Sequence, residues 1–170
     1  MKVIADLYNE DFCYYKKFKF VKWEDINSWD FDECELASSK YINMYFNQPR
    51  FFKRVEFMDN AEEIIPMLAQ KYDIYIVSHG YSPNLRLKRV WIEQHMPYVK
   101  GFIGVNLKDH RDKSCVDMSG GIFIDDTAKN LETCNAKTRI CFGDDYPWNC
   151  KWRGVRCRNW YDIGRFLNVI

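Results

Sequence analysis

The sequence predicts an α/β domain built on a parallel sheet with helices on both faces, with a smaller helical region ahead of it. Three observations carry that expectation. From Met58 onward, short apolar runs alternate with helical patterns, as right-handed strand–helix–strand units do. The run IYIV is nearly continuously apolar, as a strand buried on both faces is, and FIGV, GIFI and RICF read as further strands. Residues 1–57 lack this alternation and are instead aromatic and irregular.

Taken in order, Val3, Ile4, Leu7 and Tyr8 recur at helical spacing and predict a first helix. A second reading makes MKVIADLY a first strand. A short helix is expected near 36–46, flanked by WEDINSWDFDE (23–33) and MYFNQPRFFKRVEF (44–57). Asp59 to Glu63 is an acidic helix start, continued by Ile64, Ile65, Leu68 and Ala69. IYIV (74–77) is the first strand of the alternating part, ending in Ser78, with a sharp turn expected at His79-Gly80. Ser82-Pro83 supplies an N-cap and first-turn proline for a helix as far as Met96-Pro97. FIGV (102–105) and GIFI (121–124) follow as strands, the latter running into Asp125-Asp126. Thr127 to Cys134 is the next helix and RICF (139–142) the next strand. Asn159 caps a final helix through Leu167. The expected division is 1–57 for the first helix and a small helical cap, and 58–170 for the α/β core.

The 170 residues are 47% apolar and 17% aromatic, which excludes a disordered chain. A formal charge of +1 argues against a nucleic-acid polymer as partner and leaves room for a small anion held by local cations. No apolar run is long enough to span a bilayer, and Met1 to Glu10 lacks the apolar stretch of a signal peptide, so a cytoplasmic protein without a membrane partner is expected. Seven cysteines without a C-x-x-C read as reduced thiols.

In open parallel sheets ligands sit beyond the carboxyl ends of the strands. That rule points to Ser78-His79-Gly80, to Lys108–Lys113 and to Asp125-Asp126. Two adjacent carboxylates at a strand end repel each other and suit a magnesium ion, or Asp126 caps the helix behind it. Ser78, with backbone N–H groups ahead of a helix, suits a phosphate oxygen, or marks a routine turn. His79 has no Ser/Asp partner spaced for a triad. By themselves Lys88 and Lys113 read as ordinary solvated lysines.

The order strand-Ser, helix, Lys, strand-Asp-Asp resembles motifs two to four of the haloacid dehalogenase-like phosphohydrolases. VKWEDINSWDF (21–31), NQPRFF (47–52), DIYIVSHG (73–80), DKS (112–114), IFIDD (122–126), YPWN (146–149) and RNWYDI (158–163) together resemble its 5′(3′)-deoxyribonucleotidase branch, with bacterial and phage members. The resemblance implies a three-layer Rossmann-like sheet with a small helical cap. It implies a cytoplasmic phosphomonoesterase acting on (deoxy)nucleoside monophosphates through an aspartyl-phosphate, with Mg²⁺ and in nucleotide metabolism. It places Ser78, His79, Gly80, Lys88 and Lys113 at the phosphate, gives Lys113 a catalytic part, and puts Asp125 and Asp126 on the metal. The small-molecule nucleotide is the expected partner, and a homodimer is left open.

The family's first motif, Asp-x-Asp-Gly, is not visible. If Met1–Leu7 were the first strand, Asp6 would be the nucleophile, but Tyr8 would then hold the acid/base position, and a phenol shuttles protons poorly at neutral pH. In the helical reading, the nucleophile strand lies upstream of Met1, and the chain is a truncated or decayed copy with impaired activity. The alternative function is an inactive nucleotide- or phosphate-binding protein, or a structural remnant.

Overall fold

The computed structural model describes residues 1–34 and 36–170. The chain divides into two compact units, Met1–Glu56 and Phe57–Ile170.

The first unit is helical: α1 (Lys2–Phe12), α2 (Ser39–Tyr45) and α3 (Pro49–Phe52), with single 3₁₀ turns at Trp23–Asp25 and Phe31–Cys34. Its core joins Ile4, Ala5 and Leu7 of α1 to Phe31, Ile42 and Tyr45. This corrects the strand reading of residues 1–7. Ile4 and Leu7 are three apart, so a helix buries both on one face, whereas a strand would send them to opposite sides. Asp6 therefore stands exposed on α1 and does not end a strand.

The second unit contains α4 (Ala61–Ala69), β1 (Tyr75–Gly80), α5 (Ser82–His95), β2 (Gly101–Asn106), β3 (Ile122–Asp125), α6 (Ala128–Thr133), β4 (Thr138–Phe142), β5 (Val155–Cys157) and α7 (Trp160–Phe166). All strand pairings are parallel, in a two-stranded sheet β1-β2 and a three-stranded sheet β3-β4-β5. Alternation along β4 creates the layers. Ile140 packs with Ile64, Leu68 and Ile163 of α4 and α7, while its neighbour Cys141 packs with Leu131 and Cys134 on the α6 side. The unit is thus a Rossmann-like, haloacid dehalogenase-type α/β fold.

Several local expectations are corrected. β1 continues through Gly80, which pairs with Asn106, so the chain does not turn at His79-Gly80. A Cβ on Gly80 would lie 2.5 Å from Asn84 Oδ1, so the glycine admits the first turn of α5 against the strand. Tyr81, not Ser82, is the N-cap of α5, while Pro83 lies in the first turn as expected. β1 is not buried on both faces: Tyr75 is 56% exposed. The short strand β5 has no forerunner in the sequence reading. Asn159 does cap α7, its side chain accepting the N–H of Asp162 at 2.8 Å. All seven cysteines are free. Among the described residues no helix is long and apolar enough to cross a membrane.

Candidate functional site

β1 and β3, one edge of each sheet, carry Ser78 and Asp125 near their carboxyl ends. Two lysines reach these positions from outside the strands. Lys88, on the second turn of α5, donates to Ser78 Oγ at 2.8 Å and lies 3.5 Å from the His79 carbonyl. Lys113, in the loop after β2, donates to Asp125 Oδ2 at 2.6 Å. This second pair is sealed, the Lys113 and Asp125 side chains being 13% and 3% exposed.

The two pairs feel each other. Burial first, and then the positive charge of Lys113, bring the Lys88 ammonium down to about 8. Two cations thus share one neighbourhood, and among the described residues only Lys113 has a carboxylate partner there. Ser78 accepts from Lys88, which leaves its own O–H to donate. A hydroxyl donor beside two ammonium groups is a recognition set for a tetrahedral oxyanion.

The Asp pair divides its work. Asp125 accepts from Lys113, from the Thr127 N–H at 2.8 Å and from the Asn130 amide at 3.1 and 3.3 Å. Asp126 takes the Thr127 hydroxyl at 3.2 Å. Asp126 is exposed to solvent, yet the protein packed around its carboxyl raises it above the usual carboxylate range, and the charge of Asp125 adds to this. A cation between the two would relieve both effects. Magnesium, which takes one or two carboxylates and completes its shell with water and phosphate oxygens, fits this donor set. Among the described residues no group of three His, Cys, Asp or Glu side chains gathers, so the protein offers no closed cage.

The backbone of this corner is held from behind. Asn149, fully buried, donates to the Asp126 carbonyl at 3.0 Å and accepts from the Tyr146 N–H at 2.9 Å. Arg156 of β5 bonds Asn149 and pairs with Asp145 at 3.0 Å. The Ala128 N–H donates to the Trp148 carbonyl at 3.3 Å.

The structure thus brings Ser78, Lys88, Lys113, Asp125 and Asp126 into one charged corner. It turns the His79 ring away, toward the His110 carbonyl at 2.9 Å, leaving only the His79 carbonyl near Lys88. Gly80 serves the packing of α5. Asn130, Asn149 and Arg156 escaped the sequence reading. Asn130 stands one turn after the Asp pair, a spacing that signals a helix face turned back on it. YPWN drew notice only as a motif, and nothing in the sequence singles out Arg156.

Comparison with known proteins adds three findings. The family described as 5′ nucleotidase, deoxy (pyrimidine), cytosolic type C protein matches residues 1–170. A 5′(3′)-deoxyribonucleotidase of Clostridium acetobutylicum is 29% identical over 139 residues, covering 81% of this chain and 73% of the relative. A Staphylococcus epidermidis protein provisionally named for the same activity is 26% identical over 154 residues, or 88% of this chain and 81% of its own.

Proposed function

The chain belongs to the cytosolic type C deoxy-5′-nucleotidase family of phosphoric monoester hydrolases, and from this premise we propose that its charged corner binds the phosphate of deoxynucleoside monophosphates for hydrolysis. The observation that supports this most is the meeting of the Lys88–Ser78 and Lys113–Asp125 pairs. The names of the relatives favour deoxynucleotides as substrates. Seven free thiols suit a reducing, cytoplasmic setting.

In this reading Ser78 donates its proton to one phosphate oxygen and Lys88 neutralises a second. Lys113 is fixed in direction because Asp125 holds it, while Thr127 and Asn130 hold Asp125. Asp125 and Asp126 would hold Mg²⁺, which supplies charge neutralisation and polarises the phosphoryl group when bound. The covalent step needs a carboxylate nucleophile, and Asp6, exposed on α1, is not it. With Asp6 set aside, the expected outcome for residues 1–170 is binding of phosphate esters with slow turnover.

Calorimetry with deoxynucleoside monophosphates and assays of released phosphate, both with Mg²⁺, test the two halves. Binding should be present in the wild type and weakened by Ser78→Ala and more so by Lys113→Ala. Turnover should be low and unchanged by Asp6→Asn. Unaltered binding in both variants would overturn the phosphate assignment. Rapid turnover abolished by Asp6→Asn would restore Asp6 as nucleophile.

A further inference from the structure

The near-neutral total charge hides one strongly basic stretch. Residues 13–23, CYYKKFKFVKW, carry Lys16, Lys17, Lys19 and Lys22 and no acid. All four lysines are exposed. Interleaved with them are rings that the fold leaves outside: Tyr14 is 91% exposed, Tyr15 66%, Phe20 70% and Trp23 47%. Elsewhere in the same unit the arginines are matched, Arg54 with Glu10 and Arg50 with Asp11. Of the acids flanking the stretch, Asp25 accepts the Lys22 N–H and Glu10 and Asp11 hold those arginines, so that Glu24 alone adds an exposed carboxylate against the four lysines.

The loop is also built to present these groups. Asn9 clasps Val21 by two hydrogen bonds, donating to its carbonyl at 2.8 Å and accepting its N–H at 2.9 Å. Val21 is buried as a plug, and Phe18 lies against Tyr8 with ring centroids 6.3 Å apart. Both ends of the loop are thus anchored on α1, and the lysines and tyrosines project from a fixed base.

Spaced cations with exposed rings between them are the chemistry of single-stranded nucleic acid, whose phosphates meet the charges while its bases stack on the rings. The lysines extend along the chain beyond the reach of one phosphate, which favours a polymer over a mononucleotide. The stretch is a run of turns rather than an amphipathic helix, and its one aliphatic side chain is the buried Val21, which disfavours insertion into a lipid surface. We propose that the 13–23 loop of the first unit binds single-stranded nucleic acid without sequence preference. This does not rest on the phosphatase reading.

Fluorescence anisotropy of the full chain with a labelled oligothymidylate tests the proposal. Saturable binding is expected at 50 mM salt, falling by up to about 50-fold at 200 mM if all four lysines meet phosphates. Lys16→Ala, Lys17→Ala and Lys19→Ala together should remove most of the binding and flatten the salt dependence. Tyr14→Ser with Tyr15→Ser should weaken it about tenfold while leaving the slope in place. Neither set touches Asn9 or Val21, and circular dichroism should be unchanged. Absence of saturable binding would overturn the proposal. So would duplex DNA bound as tightly as the single strand, or capture of the chain by phosphatidylserine vesicles but not by the oligonucleotide.

Discussion

Each unit of the molecule has one carboxylate set in a knot of donors, and the two knots differ in how well their charges are matched. In the first unit Asp11 receives both Arg50 nitrogens and the Tyr45 hydroxyl at 3.1 Å, tying α1 to α2 and α3. Arg50 holds the Asp11 carboxyl below the usual carboxylate range, so both partners are content in their charged forms. In the second unit Asp125 is equally well bonded, but its neighbours are not. Lys88 is drawn down toward its neutral form and Asp126 pushed up toward its own, each bonded to a neutral hydroxyl. A matched knot is scaffold. A knot with one cation and one carboxylate left over holds free energy that a bound anion and cation can release.

The sharpest way to break this comparison is Lys113→Ala. It leaves Asp125 buried without its cation, and unfolding by urea should show a loss of about 3–5 kcal/mol, together with lost phosphate binding. Arg50→Ala should cost about 1–2 kcal/mol, since that pair is partly solvated, and should leave phosphate affinity unchanged. If Arg50→Ala weakened phosphate binding as Lys113→Ala does, the division into scaffold and site would fail.

Lys88 sharpens the contrast through pH. Its folded value of about 8 lies below that of a free lysine, so between the two the unfolded chain binds the extra proton. Stability should therefore gain from Lys88 as pH rises above 8, while affinity for a phosphate dianion falls over the same range. In Lys88→Met both slopes should vanish and phosphate should bind about tenfold more weakly at pH 7. Asp126→Asn should give the smallest effect, a slight rise in melting temperature without metal, because a carboxylate that resists ionisation is removed. The same variant should lose the heat of Mg²⁺ binding, and an undiminished heat would place the metal elsewhere.

The legible parts of the fold are those written in short-range patterns. An apolar run ending in two aspartates announces β3 and its charged end, and the spacing of Ile4 and Leu7 announces α1. Asn159, three residues before the N–H it accepts, announces the start of α7. What stayed hidden depends on groups far apart in the chain. Asn149 meets the Asp126 carbonyl across 23 residues, and Arg156 reaches Asn149 from a strand of only three residues. The unequal roles of Asp125 and Asp126 were hidden for a similar reason, since Lys113 and Asn130 converge on one of the two from different elements. The turn expected at His79-Gly80 is absent because Gly80 stays in the strand and makes room for Asn84.

The parallel register bears on the order of assembly. Every ladder in the second unit closes only after a crossover has been spanned. In the three-stranded sheet, Ile122 meets Thr138 and Ile140 meets Val155, 16 and 15 positions along; in the other, Tyr75 meets Gly101, 26 positions along. The longer closure costs about 0.5 kcal/mol more in chain entropy. Within the first unit, the helical turns of α1 and the Asn9–Val21 clasp need shorter excursions and should form earlier, whereas the docking of α1 on α3 through Asp11 and Arg50 spans 39 positions and should come later. During refolding, pulse-labelled amides should therefore be protected first in α1, then along β3 and β4, and last along β1 and β2. The phosphate-binding corner, which draws Ser78 from the slowest ladder, would be completed only at the end of folding.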